Sequence, residues 1–334
     1  MKIIVPMAGM GKRMRPHTLT IPKPLIRIAG KPIVERLVEE IAKVCKEKIE
    51  EIAFVIGDFG PEVEENLKNI ARSLNAIPKI YYQHEALGTA HAILCAEEIM
   101  EGKVIVAFAD TLFKADFVLD DKTDGTIWVQ KVADPSAFGV VKVDDNNCIT
   151  EFFEKPKNFV SDLAIIGIYY FKDGANLKKE LNYLVENNVI KSGEYQLTDA
   201  LENMKNKGIV FKPSEVVEWL DCGNKNATVY TNQRILEYHK SEKLISDSAQ
   251  IVNSIIIEPC FIGDNVKIKN SVIGPYLSVG ENTTIKNSLI KNSIIQSNSI
   301  FENLNIQNSM IGNFVDMRGD IEELSIGDYT TIMK

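Results

Sequence analysis

The stretch Lys2-Ile3-Ile4-Val5-Pro6-Met7-Ala8-Gly9-Met10-Gly11-Lys12-Arg13-Met14-Arg15-Pro16 decides how this chain is read. Its opening is a short apolar run, the pattern of a buried strand. Two glycines and three cations follow at once. Residues without a Cβ let backbone N–H groups close around an anion, and the cations neutralise it. A phosphate-rich ligand suits such a loop. The Walker pattern needs four residues between its glycines and Ser or Thr after its lysine; here one residue separates Gly9 from Gly11, and Arg13 follows Lys12. The dinucleotide pattern needs a third glycine where Met14 stands. Pro16, Pro22 and Pro24 interrupt any long helix. The expectation is an extended basic loop that wraps a triphosphate; a glycine turn with solvated charges is the alternative.

Working outward, apolar strands alternate with amphipathic helices. Ile33, Leu37, Val38, Ile41, Val44 and Cys45 share one helical face. Ile52–Ile56 reads as a strand, Pro61 to about Asn75 as a helix, Lys79–Gln83 as a strand, Gly88–Met100 as a helix, and Lys103–Ala109 as a strand stopping at Asp110. This order predicts an α/β fold with a doubly wound, mostly parallel sheet, whose ligands lie beyond the carboxyl ends of the strands. Residues 116–223 read as four strands with short turns and two helices, an insert covering that rim. Lys225 to Lys240 continues as a helix. From Ser241 the character changes. Asn-Ser before two aliphatics recurs at Asn253, Asn270 and Asn287, 17 residues apart. Aliphatics within each unit return every five or six residues. That period predicts a β-solenoid from Ile251 to about Ile326, with a β-sandwich as the alternative. The expected domains are 1–240 and 241–334.

Composition narrows the classes. The chain has 334 residues, 38 Lys and Arg against 46 Asp and Glu, and net charge −8. An acidic balance argues against general nucleic-acid binding. No apolar run approaches the ~20 residues of a membrane helix, and no leader segment is visible. Five scattered cysteines without a CxxC pair fit a reducing cytoplasm and give no zinc or disulfide signal.

Asp110 and Asp221 each end an apolar strand. Mg²⁺ takes hard oxygen ligands, often one or two carboxylates plus substrate phosphates; capping a turn is the plainer role for either. Gln83-His84-Glu85-Ala86-Leu87-Gly88-Thr89-Ala90-His91 joins a strand to a helix. A glutamine can donate to and accept from a pyrimidine edge, although an ordinary turn has the same spacing. His84 and His91 read as structural. At Phe138-Gly139-Val140-Val141 and Phe153-Glu154-Lys155-Pro156, a glutamate could hold sugar hydroxyls and a lysine a phosphate; each could equally be a solvated charge.

Taken together and in order, these motifs, with Pro22-Lys23, Glu194-Tyr195-Gln196-Leu197-Thr198-Asp199 and Trp219-x-Asp221-x-Gly223, resemble those of the sugar-phosphate nucleotidyltransferases, near the glucose-1-phosphate thymidylyltransferases. The resemblance covers about residues 1–240, and the tail is similar to the left-handed β-helix some members carry. It implies a nucleoside triphosphate and a sugar 1-phosphate as substrates, and Mg²⁺ at Asp110 and Asp221. Arg13 and Lys23 would be catalytic. Ala8, Gly9, Gly11, Gln83, Gly88 and Thr89 would hold the nucleotide; Gly139, Glu154 and Lys155 would hold the sugar phosphate. Three positions depart from the family pattern: Lys12 for threonine, Ala109 for glycine, and Ile165 for an asparagine of the sugar strand. The Gly88–Ala92 run also looks like the N-acetylglucosamine-1-phosphate uridylyltransferases. Their acetyl-transfer solenoids rely on a histidine, and the last one here is His239, so no acetyl transfer is expected. A non-catalytic sugar-nucleotide sensor is the rival from another class. Open strand edges in the solenoid predict a homo-oligomer.

Overall fold

A computed structural model describes residues 1–191, 193–319 and 325–333. Residues 320–324, inside the predicted solenoid, lie outside the described residues. The chain packs as two compact units, one of residues 1–9 and 37–219, the other of residues 10–36 and 220–334.

The first unit is built on a nine-stranded sheet. Its strands are β1 (Lys2–Pro6), β2 (Glu51–Ile56), β3 (Ile77–Tyr82), β4 (Val104–Ala107), β5 (Gly125–Lys131), β6 (Gly139–Val143), β7 (Ile149–Glu154), β8 (Leu163–Phe171) and β9 (Phe211–Glu215). The order is β7-β6-β8-β4-β1-β2-β3, with β5 pairing both β8 and β9. β3, β2, β1 and β4 run parallel, in register Ile4 to Ala53 and Ile4 to Val106. β1, β2 and β4 bury apolar side chains on both faces because helices cover both, whereas β3, at the edge, leaves Ile77 and Tyr82 exposed. The insert strands do not form a separate sheet. β8 joins β4 antiparallel, so the insert extends the same sheet. The first unit's helices are α1 (Ile33–Val44), whose first turn falls in the second unit, α2 (Pro61–Ser73), α3 (Thr89–Leu94), α4 (Gly174–Glu186) and α5 (Leu197–Asn206); α6 (Lys225–Tyr238) belongs to the second unit. The helix expected to reach Met100 stops at Leu94, and a single 3-10 turn, Glu97–Ile99, follows. Parallel strands place their carboxyl ends on one rim. The segments leaving β1, β2, β3 and β4 there carry Ala8 and Gly9, Gly57, Gln83, and Asp110 respectively.

In the second unit the basic loop is not extended. Three 3-10 turns, Lys12–Met14, His17–Leu19 and Lys23–Leu25, alternate with the prolines. A fixed proline φ suits such tight turns even as it blocks a long helix. The tail is a left-handed β-helix of three parallel ladders. One ladder runs through Ile251, Ile268, Ile285, Phe301 and Met317 in register; from Ile268 on these residues are buried and line the apolar interior, while Ile251 on the first coil is exposed.

The asparagines explain the corners. Asn253, Asn270, Asn287 and Asn303 all have φ near +50°, a region Asn tolerates better than other residues with a Cβ. Their side chains also join from coil to coil: Asn253 Nδ2 donates to Asn270 Oδ1 (2.9 Å), Asn270 to Asn287 (3.2 Å), and Asn287 to Asn303 (3.1 Å). The last step spans 16 residues, not 17. The coil shortens where Leu277 pairs with Ser293.

Candidate active site

In the first unit, three groups of predicted residues take definite places. Gln83 lies beyond β3, where Ile56 O accepts from its backbone N–H (2.9 Å). Gln83 Nε2 approaches Gly88 O (3.3 Å) and His91 Nδ1 (3.1 Å). His91 therefore orients the glutamine, the structural part expected of it, while His84 stacks on Tyr82.

Gly88 is explained by packing. It has φ +111°, and a Cβ there would meet Tyr195 O at 2.5 Å and Tyr195 N at 2.7 Å. The Tyr195 backbone brackets the turn: Tyr195 N–H donates to Leu87 O (2.9 Å), and Ala90 N–H donates to Tyr195 O (3.0 Å). Thr89 Oγ1 accepts from Leu197 N–H (3.0 Å). The Glu194–Asp199 motif thus locks the Gly88–Thr89 turn.

On the insert side, Gly139 opens β6 opposite Glu154 of β7. A Cβ on Gly139 would lie 3.2 Å from Glu154 Oε2 and 3.5 Å from Ile165 Cδ1. Gly139, Glu154 and Ile165 therefore surround one small space, with a carboxylate on one side and an aliphatic end on the other. Lys155 has φ +45°, a strained region for a lysine, and its Nζ is 3.7 Å from Glu154 Oε1. Burial, with the Glu154 charge adding to it, pushes the Tyr169 hydroxyl well above the usual tyrosine range. Tyr169 thus stays a neutral hydroxyl near Glu154.

Trp219 links this corner to the aspartate strand. Its ring meets Phe138 edge-on at 4.9 Å, and its Nε1 donates to Thr111 Oγ1 (3.3 Å). Thr111 had no place in the sequence reading, and Phe138 entered it only as the first residue of the Phe138–Val141 motif, with no role of its own. Their signal was indirect: the tryptophan of Trp219-x-Asp221 needs a partner for its N–H. Asp110 follows β4 in a turn and is half-buried.

In the second unit, Gly11 has φ +56°, and a Cβ would press on Lys23 Cβ and Thr18 Cγ2, both at 3.1 Å. Thr18 Oγ1 donates to Gly11 O (2.9 Å). The glycine turn is thereby packed against buried Lys23. Gly9, which belongs to the first unit, has nothing within 4 Å of a would-be Cβ.

Arg13 and Asp221 converge. A Cβ on Gly223 would sit 2.9 Å from Asp221 Oδ1 and 3.2 Å from Arg13 Nη2. Gly223 N–H donates to that Oδ1 (2.8 Å), and Thr231 Oγ1 to the Asp221 carbonyl (2.8 Å). A fixed carboxylate beside a guanidinium can hold a cation and a polyphosphate together. Among the described residues no group of three or more His, Cys, Asp or Glu is placed to hold a metal. Any ion here would therefore draw on one or two carboxylates and on substrate oxygens. Asp221 in this unit, and Asp110 in the first, are each hard-oxygen donors of the kind such an ion takes.

Comparison with known proteins then decides the family. The nucleotidyl transferase family model matches residues 2–238. This chain belongs to the nucleotidyl transferase family. Among its relatives, the bifunctional protein GlmU of Methanocaldococcus jannaschii is 31% identical over 266 residues, 77% of this chain and 60% of that protein. A glucose-1-phosphate thymidylyltransferase of Streptomyces antibioticus is 30% identical, covering 79% and 78%. The chain spans about 60% of the length of the GlmU relatives it matches. A solved nucleoside-diphosphate-sugar pyrophosphorylase of Vibrio cholerae shares the nucleotidyltransferase fold, with TM-score 0.60 and 20% identity over 69% of this chain and 99% of that one. No helix among the described residues is long and apolar enough to cross a membrane.

Proposed function

We propose that this nucleotidyltransferase family member joins a nucleoside triphosphate to a sugar 1-phosphate and releases pyrophosphate. The observation that carries the reading is the meeting of Arg13 and Asp221 over Gly223, in a chain of this family. An oxygen of the sugar phosphate attacks the α-phosphorus and forms a new P–O bond. The bond from that phosphorus to the bridging oxygen breaks, and pyrophosphate leaves with the electron pair. The nucleophile is already an anion, so no general base is required; alignment and charge neutralisation supply the catalysis.

In this reading Arg13 stabilises the departing pyrophosphate, and Lys23 the α-phosphate. Ala8, Gly9 and Gly11 present backbone to the phosphates. Gln83, held by His91, reads the base, with Gly88 and Thr89 shaping the turn beneath it. Lys155 grips the sugar phosphate, and Glu154 takes sugar hydroxyls beside Gly139. Asp110 and Asp221 are the proposed Mg²⁺ carboxylates, and the ion's chemistry is neutralisation of phosphate charge.

The leading substrate pair is dTTP with glucose 1-phosphate, supported by the thymidylyltransferase relative. The alternative is UTP with glucose or N-acetylglucosamine 1-phosphate, favoured by the Gly88–Ala92 run and the GlmU relatives. One methyl group separates the bases, a difference of only ~1 kcal/mol in a pocket. The cytoplasm is the proposed compartment; no disulfide joins cysteines among the described residues. A homo-oligomer is proposed through the first coil, where Ile255 is 61% exposed, and sedimentation at micromolar concentration tests it. For the reaction, purified protein is incubated with Mg²⁺, four triphosphates and a sugar 1-phosphate panel. Pyrophosphate release with one pair is expected. Silence with every pair rejects the enzyme in favour of a sugar-nucleotide sensor.

A further inference from the structure

The basic loop from Pro16 to Gly30 lies along one ladder of the β-helix, coil by coil. Gly30 faces the first coil: it has φ +86°, and a Cβ would strike Phe261 at 2.4 Å. Ala29 N–H donates to Asn232 Oδ1 (3.1 Å), which also accepts from Ser278 Oγ (2.6 Å), while Asn232 Nδ2 donates to Tyr276 O (3.3 Å). Asn232 is fully buried. One coil on, Gln296 Nε2 donates to Arg27 O (3.1 Å). At the coil carrying Ser325 to Asp328 the loop is held three ways. His17 Nε2 pairs with Ser325 Oγ (3.0 Å), Thr20 Oγ1 donates to Asp328, and a Cβ on Gly327 would touch Pro16 Cβ at 3.0 Å. His17 is buried.

Three short 3-10 turns have little stability of their own. Their shape is set by what they are packed on. We propose that the β-helix is the template that keeps this loop in its anion-binding shape, with Ser325, Gly327 and Asp328 as positioning residues for triphosphate binding. The inference rests on the reading of Gly11, Arg13 and Lys23 as phosphate-binding groups. Its thermodynamic form is simple. If loosening the seat leaves the loop competent for a fraction f of the time, the apparent dissociation constant for triphosphate rises by 1/f, while turnover at saturation is retained.

The test compares the full chain with Gly327→Val, which wedges Pro16 away, and with Ser325→Ala and Thr20→Val, which remove single contacts. Hydrogen exchange of the peptide spanning residues 10–24 is read together with kinetics. In Gly327→Val the KM for triphosphate should rise about tenfold, as a tenfold fall in f requires, with kcat and the sugar-phosphate KM within about twofold; at that f the loop is open for roughly nine-tenths of the time, so the peptide should exchange close to the rate of an unstructured chain. Ser325→Ala and Thr20→Val should move the same way by less, and Thr20→Ser should restore wild-type values. Unchanged exchange in all three variants would overturn the proposal. So would equal rises in both KM values, the mark of general damage. Absence of turnover in the wild type would reject the functional reading alone, because exchange still reports the seat.

Discussion

Replacing Gly88 with alanine separates packing from ligand binding. At φ +111° an alanine costs about 1 kcal/mol in backbone strain. Its Cβ would stand 2.5 Å from Tyr195 O, and no rotamer change relieves contact with a backbone atom. The Tyr195 segment must retreat, weakening Tyr195 N–H to Leu87 O and Ala90 N–H to Tyr195 O. At ~1 kcal/mol each, these bring the total to about 3 kcal/mol. For a unit of this size that is a fall in melting temperature of about 6–12 °C. Gly9→Ala is the control, since its Cβ enters open space, and a stability change within ~0.5 kcal/mol is expected. Scanning calorimetry gives both numbers, and exchange at the Tyr195 amide locates the first. A Gly88→Ala protein melting within 2 °C of wild type, by the same conversion under ~1 kcal/mol, with that amide still protected, refutes the steric reasoning. Gly9→Ala should instead raise the triphosphate KM about tenfold, or ~1.4 kcal/mol; an unchanged KM removes Gly9 from the phosphate loop.

The other predictions follow from single sites. Asp110→Asn and Asp221→Asn should each lower pyrophosphate release on the order of a hundredfold or more while circular dichroism stays normal; a variant keeping most of its rate is not a metal ligand. Gly139→Ala should push on Glu154 and raise the sugar-phosphate KM about tenfold, ~1.4 kcal/mol, with the triphosphate KM unchanged. Ile165→Asn restores a hydrogen-bonding group beside Glu154 and should improve kcat/KM for sugars with a free hydroxyl there, relative to deoxy or acylated analogues; identical ratios before and after would show that Ile165 does not face the sugar. Burial holds the His17 pKa down, from 6.5 to about 4, although Asp328 opposes it. The unfolded chain therefore takes up a proton that the folded chain refuses between those values. This contribution to stability is complete above pH 6.5 and shrinks as pH falls towards 4, by roughly 3 kcal/mol in all. His17→Gln should flatten that slope in acid-unfolding titrations; an unaltered slope would assign it to other groups.

Much of the fold was legible because local pattern and long-range packing agreed. Ile52–Ile56 and Val104–Ala107 are apolar throughout, and only a strand covered on both faces uses such a run. The Asn253, Asn270 and Asn287 spacing revealed the solenoid, since identical corners must recur once per coil. The amide ladder was less legible, because a spacing says nothing about which side chains turn towards one another. The compact turns of the basic loop were missed for a physical reason. Proline forbids the i to i−4 bond of a long helix, yet it permits a 3-10 turn, and only tertiary support decides between that and an extended chain. At the site, residue types were readable but neighbours were not. Gly88 was read as one of the residues that would hold the nucleotide, with no sign that its Cβ direction points into Tyr195, 107 positions away. Arg13 and Gly223 meet across 210 positions, a closeness that no local signal encodes.

The stacked asparagines also constrain how such a tail can change over generations. Each amide must find its equivalent one circuit later, whether 17 or 16 positions on. Gaining or losing one residue at a corner can be absorbed, as the shorter circuit after Asn287 demonstrates. Elsewhere a single insertion would turn inward side chains outward along the rest of that ladder. Length should therefore vary among kindred tails in whole circuits, with odd residues confined to corners.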